Sequence, residues 1–209
     1  SEKALLFVDN LMEWIAINTY KASIELAKEK GSFPFLNREK FTQSGYLTKH
    51  LDGKYSSDWY AIIEDIKEYG IRNGRMLSIA PTGTLSLTYG QNCSSGIEPI
   101  FSLEYDRYVR LGGQDESNKQ LITIEDYAYH YYKEICPDTE NKNFVTALNM
   151  KVDDHVKMLA AIAKHVDMSV SKTINVPTDY SFEDTKTIYY NCWKNNIKGC
   201  TIFRPNELR

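Results

Sequence analysis

The sequence predicts an α/β protein with parallel strands. Two observations carry that expectation. Segments whose apolar residues recur at the helical period alternate through much of the chain with short apolar runs that read as strands. Short apolar strands separated by helices are the usual arrangement of a parallel sheet. The chain has 209 residues, a quarter of them charged, which suits one globular domain or a piece of a larger one. No internal repeat, low-complexity tract or dividing linker interrupts it.

Residues 3 to 29 are predicted as a long amphipathic helix. Its stripe is Leu5, Val8, Leu11, Met12, Ile15, Tyr20, Ile24, Leu26 and Ala27, and Gly31 stops it. "GSFPFLNREKF" follows as a loop or short element, with Pro34 forcing extended geometry. "SSDWYAIIEDIKEYG" is a second helix with a serine cap, a stripe of Trp59, Ile62, Ile63 and Ile66, and Gly70 at its end. "RMLSIA" reads as a strand ended by Pro81, and residues 84 to 90 as the first turns of a helix. "FSLEYDRYVRL" reads as a strand, and "RLGGQDESNKQLI" as a flexible surface loop. "TIEDYAYHYYKEIC" is a helix with Thr123 as N-cap. "DDHVKMLAAIAKHVD" is another, facing inward with Val156, Leu159, Ile162 and Ala163. "SVSKTINVP" is a strand ended by Pro177, "SFEDTKTIYYNCWKNNIKG" a helix capped by Ser181, and "CTIFR" a last strand.

Charge and composition exclude several functions. The net charge of −3 comes from interspersed acids and bases, so nothing points to nucleic acid. No apolar run is long enough to span a bilayer, and the N-terminus lacks signal-peptide flanks, so a cytoplasmic location is expected. Cys93, Cys136, Cys192 and Cys200 form no C-x-x-C pair and read as isolated reduced thiols. The four histidines are scattered, and His155 and His165 lack i, i+4 spacing, so no metal site is expected. Fifteen tyrosines, clustered in "YAYHYYKE", read as half-buried packing residues.

"SIAPTGTLSLTYG" (78 to 90) carries the chemistry. Where a strand gives way to a helix, the first helical N–H groups lack partners and welcome an anion. Gly83 permits close backbone approach, and Thr82, Thr84 and Ser86 add hydroxyls. The stretch is neither a Walker A loop nor G-x-G-x-x-G. By itself it fits an ordinary capped helix start better than a phosphate cradle.

The neighbouring "SSGIEP" (94 to 99) adds weight to the second reading. "APTGTLS" followed by "SGIEP" resembles the large catalytic chain of ribonucleotide reductase. "KASIELAKEKGSFPFLN" (21 to 37), "GIRNGRMLSIAPTGT" (70 to 84), "SVSKTINVPTDYSFED" (169 to 184) and "IKGCTIFRPN" (197 to 206) resemble further family segments in the same order. The resemblance covers nearly the whole chain. It implies the C-terminal part of a ten-stranded α/β barrel over residues 1–209, incomplete on its own and expected to leave strand edges unpaired. It also implies that Pro81, Thr82, Gly83, Thr84, Leu85 and Ser86 bind the phosphates of a ribonucleotide substrate. The reaction would replace the ribose 2′-hydroxyl by hydrogen through a thiyl radical.

The radical cysteine of that family sits in N-x-C-x-E, which this sequence lacks; "NCSSGIE" has the wrong spacing. No catalytic residue is therefore assigned, and the N-terminal portion of the same enzyme is the expected partner. Phe203 in "CTIFRPN" replaces the tyrosine pair of oxygen-dependent members and resembles the adenosylcobalamin-dependent class. Glu98 is expected to hold its loop rather than to face phosphate, which it would repel. A stand-alone phosphate- or nucleotide-binding module, and a structural split-gene half, remain as alternatives.

Overall fold

A computed structural model of the chain describes residues 1–89, 94–110, 119–137, 139 and 142–205. The chain forms two compact units, each discontinuous in sequence. The first comprises residues 1–78, 157–170 and 193–199, and the second residues 79–156, 171–192 and 200–209.

The first unit is helical at its N-terminal end. α1 (Glu2–Lys30), α2 (Arg38–Thr42), α3 (Gly45–Thr48) and α4 (Ser56–Tyr69) surround a core of Ala16, Tyr20, Ile24, Leu47, Trp59, Ile62, Ile66 and Ile71. The predicted stripe of α4 is buried in full. Its cap differs from expectation: Tyr55 occupies the N-cap without a side-chain bond, and the serines lie inside the helix. The buried face of α1 also differs. Glu13, Ala16, Ile17, Tyr20, Ser23, Ile24 and Ala27 are buried, whereas Leu11 and Leu26 are exposed with Leu6, Phe7 and Trp14. Polar Glu13 and Ser23 are tolerated inside because Trp59 Nε1 donates to Glu13, and Ser23 Oγ donates to Asn73 Oδ1.

The predicted strand "RMLSIA" is reduced to a single β-bridge residue, Ile79, with Leu77 O accepting from Met168 N at 3.1 Å and Ile79 O from Ser171 N at 2.9 Å. The carboxylate of Asp167 accepts from the amides of Met76 and Leu77, both at 2.8 Å. A side chain thus occupies donors that a partner strand would otherwise use.

The second unit contains α5 (Gly83–Thr88), β1 (Glu104–Arg110), β2 (Lys119–Glu125) and α6 (Tyr127–Ile135). It also holds the start of α7 (Val152–Ala163), β3 (Thr173–Asn175), most of α8 (Phe182–Lys194) and β4 (Thr201–Phe203). β3 and β4 pair in parallel, with α8 as their crossover, as the α/β reading requires. β1 and β2 form an antiparallel hairpin, with Glu104 opposite Glu125 and Arg110 opposite Lys119. That pairing corrects the loop expectation for residues 119–122 and moves Thr123 into a strand; the helix cap is Asp126, which accepts from Tyr129 N at 3.0 Å. Ser181 caps α8 as expected, accepting from Asp184 N at 3.0 Å. The tyrosine cluster divides: Tyr129 and Tyr132 pack on Phe144, while Tyr127 and Tyr131 are exposed. Among the described residues the strands form two two-stranded sheets. No helix is long and apolar enough to cross a membrane among them.

Candidate functional site

The second unit holds a cleft of about 610 Å³, a size that suits a small ligand. Gly83 and Ser86 line it, with Ser94, Ser95 and Glu98 from the second motif and Thr173, Asn175, Thr201 and Phe203 from the parallel strands. Pro81, Thr82, Thr84 and Leu85 stand outside that lining. The strand residues escaped the sequence reading because only the β3–β4 pairing brings them to the cleft.

The loop is held by its own geometry. Thr82 is the N-cap of α5 and adopts the left-handed conformation, φ 52°, uncommon for a β-branched residue. Its Oγ1 accepts from Gly96 N at 2.7 Å, so the two motifs are joined by a direct hydrogen bond. Gly96 has φ +57°, and a Cβ there would lie 2.8 Å from the Ala80 carbonyl oxygen. Glycine is needed at that point for both reasons. Beyond Thr82, the amides of Gly83, Thr84 and Leu85 open the first turn of α5 and have no acceptor within the helix. α5 has only six residues, so any anion affinity rests on these amides more than on a long dipole. Ser86 Oγ donates to Gly83 O at 2.8 Å and must rotate to donate to a ligand.

Glu98 anchors the second motif. Its Oε1 accepts from Thr173 N at 2.5 Å, and its Oε2 pairs with Lys172 Nζ at 2.7 Å. The Lys172 ammonium, only 1 % exposed in its side chain, also donates to His155 Nδ1 at 3.0 Å and to the Thr173 carbonyl. Three donors thus meet three acceptors, which a buried ammonium requires. His155 Nε2 lies 3.2 Å from Ala147 O, so the neutral ring donates there and keeps Nδ1 as acceptor. Burial lowers the Lys172 pKa from its usual value, an effect opposed by Glu98. The expected role of Glu98, holding its loop, matches these contacts. The roles of Lys172, inside the quoted segment 169 to 184, and of His155 were not legible in the sequence, since both are distant in the chain from Glu98.

Burial, followed by the charge of Lys172, also lowers the His155 pKa; the Ala147 carbonyl, Glu98 and Asp154 oppose the shift. A depressed folded-state value means that the neutral ring contributes stability above about pH 6.5, and that this is lost as pH falls through the lower folded value. An NMR titration should therefore give His155 a midpoint below 6.5. A midpoint at or above 6.5 would contradict the buried neutral ring.

The cysteines are not all isolated. Cys192 Sγ in α8 lies 3.5 Å from the Sγ of Cys200, the residue just before β4. Burial, reinforced by Cys200, pushes the Cys192 thiol up to about 12, so it stays protonated at neutral pH. Cys136 is partly buried, and Cys93 lies outside the described residues.

Sequence comparison agrees with these paired motifs. A family model described as ribonucleotide reductase, barrel domain, matches residues 1–203. The chain belongs to the ribonucleotide reductase barrel-domain family. It is 33% identical over 225 residues to a vitamin B12-dependent ribonucleoside-diphosphate reductase of Thermoplasma acidophilum, covering 99% of this chain and 26% of that protein. It is 28% identical over 219 residues to the protein of the same name in Mycobacterium tuberculosis, covering 98% and 28%. It is 22% identical over 208 residues to the ribonucleoside-diphosphate reductase subunit alpha of Treponema pallidum, covering 100% and 22%. The chain thus spans about a quarter of the length of these ribonucleotide reductases. The resemblance read from "APTGTLS" and "SGIEP" is borne out at the level of the family.

Proposed function

We propose that residues 1–209 act as the C-terminal portion of the catalytic barrel of a cytoplasmic, adenosylcobalamin-dependent ribonucleoside-diphosphate reductase. In this reading Pro81, Thr82, Gly83, Thr84, Leu85 and Ser86 form the cradle for the substrate's phosphates. The observation that carries it is the bond from Gly96 N to Thr82 Oγ1, which ties the "SGIEP" motif to the loop and presents the amides of Gly83 to Leu85. Phosphate oxygens accept from those amides, and Ser86 supplies a hydroxyl after rotating from Gly83 O. Glu98 does not repel the anion strongly, because Lys172 neutralises it from behind.

The thiyl cysteine and the remainder of the barrel come from the rest of the enzyme. Exposed Leu6, Phe7 and Trp14 of α1 offer that portion an apolar surface. The names of the relatives support cobalamin for the complete enzyme. The cleft here has the size of a nucleotide site. A corrin with its nucleotide tail is much larger, so these residues do not fit that cofactor and no step is assigned through it.

The test is Gly83→Val. A Cβ at Gly83 meets nothing within 4 Å, so the fold should survive while the side chain blocks the ligand. In calorimetry with a ribonucleoside diphosphate, on the chain reconstituted with the rest of its enzyme, affinity should fall at least about tenfold, roughly 1.4 kcal/mol. Unchanged affinity would remove the cradle. Tight binding by the chain alone would favour a self-sufficient nucleotide-binding module.

A further inference from the structure

We propose that Glu13, His50 and His165 form a binding site for a divalent transition-metal ion of the zinc type in the first unit. One donor atom from each lies within 4.8 Å of the other two, and all three residues are buried. Glu13 comes from the middle of α1, His50 from the turns after α3, and His165 from the chain just beyond α7. No sequence spacing announces the set, because it is assembled from three distant segments.

The hydrogen-bonding pattern is that of ligands awaiting a cation. His165 Nε2 lies 2.7 Å from Asp9 Oδ1. Donation to that carboxylate leaves the lone pair on Nδ1, which is buried and has no hydrogen-bond partner. A ligating histidine characteristically gives its other N–H to a carboxylate in this way. Asp9 is in turn paired with Lys164, which fixes it as an acceptor. His50 Nε2 is likewise buried without a partner, and His50 Nδ1 stands 3.7 Å from Glu13 Oε1.

The carboxylate of Glu13 needs a positive partner. Trp59 Nε1 donates to its Oε1 at 3.1 Å, and among the described residues its one titratable neighbour of opposite sign within 4 Å is His50. A divalent ion balances a buried carboxylate.

Two imidazoles and one carboxylate suit zinc and its first-row neighbours rather than calcium or magnesium. Donors around a tetrahedral zinc sit about 3.3 Å apart, so binding would draw the widest pair inward by at most about 1.5 Å. The ion would pin α1 to the segments after α3 and α7.

The full chain, equilibrated with zinc sulfate and desalted, should retain a single zinc by elemental analysis. Zinc should also raise its unfolding temperature. Glu13→Gln and His165→Ala should each weaken zinc binding at least about tenfold, and Asp9→Asn by about 10- to 100-fold through the orientation of His165. Cobalt in place of zinc should give a nitrogen–oxygen spectrum without thiolate charge-transfer bands, which separates this site from the Cys192–Cys200 pair. Glu13→Gln is nearly isosteric, so it remains informative if His165→Ala does not fold. A folded wild-type chain that retains no zinc would reduce the cluster to a hydrogen-bonded core only and overturn the proposal. Undiminished zinc in folded Glu13→Gln, or a thiolate band with cobalt, would overturn it as well.

Discussion

Glu98→Ala should destabilise the second unit by about 3–5 kcal/mol, the usual cost of leaving one member of a buried ion pair without its partner. Lys172 has no route to solvent: its side chain is 1 % exposed, and its remaining acceptors are His155 Nδ1 and the Thr173 carbonyl. The Thr173 amide would lose its acceptor at the same time. Glu98→Gln keeps an oxygen for that amide and removes only the charge, so its cost should be smaller. Urea unfolding at pH 7 measures both. The deficit should shrink at alkaline pH, because Lys172 already holds its proton less tightly than usual and can shed it once Glu98 is gone. A loss below about 1 kcal/mol for the alanine variant would show that the ammonium is relieved by water or by rearrangement.

Gly96→Val carries the second large effect. The residue has φ +57°, and its new Cβ would press against the Ala80 carbonyl oxygen at 2.8 Å and the Pro81 oxygen at 3.4 Å. Left-handed backbone alone costs a β-branched residue about 1–2 kcal/mol, and backbone atoms cannot yield as a flexible side chain does. A total of about 2–4 kcal/mol is expected, together with loss of the bond to Thr82 Oγ1. Nucleotide affinity should fall with it, since that bond sets the loop. The contrast with Gly83→Val is the decisive control. Both sites are glycines of the same two-motif constellation, yet Gly83 has open space where Gly96 has a carbonyl. If urea melts show Gly96→Val within about 0.5 kcal/mol of wild type, the turn is not constrained as described.

Much of the local structure was legible because its causes are local. The four isoleucine and tryptophan positions of α4, the glycine ends of α1 and α4, and the serine cap of α8 follow from period and capping alone. The errors have non-local causes. "RMLSIA" has the composition of a strand but keeps only a bridge at Ile79, since Asp167, about ninety residues away, takes the amides of Met76 and Leu77. Residues 119–122 look like loop in isolation and become strand only opposite 107–110. Leu11 and Leu26 belong to the apolar count of α1, yet Glu13 and Ser23 take the inside positions because Trp59 and Asn73 satisfy them.

The candidate site divides in the same way. Pro81 to Ser86 could be proposed as a phosphate cradle from the sequence, since the motifs that carry the resemblance lie in contiguous residues. Lys172, His155 and the Thr173 amide could not, because a buried ion pair leaves no spacing in the chain that announces it.

The amino-acid sequence by itself determined where the longer helices form, the glycines that end α1 and α4, the parallel α/β character of the C-terminal strands and the family. All of these depend on periodicity, capping or contiguous motifs. Only the tertiary structure decided that Thr82 meets Gly96, that Glu98 is neutralised by Lys172, and that Glu13, His50 and His165 converge. Burial makes each of those polar groups depend on a partner supplied by another segment, and only the folded chain brings those segments together.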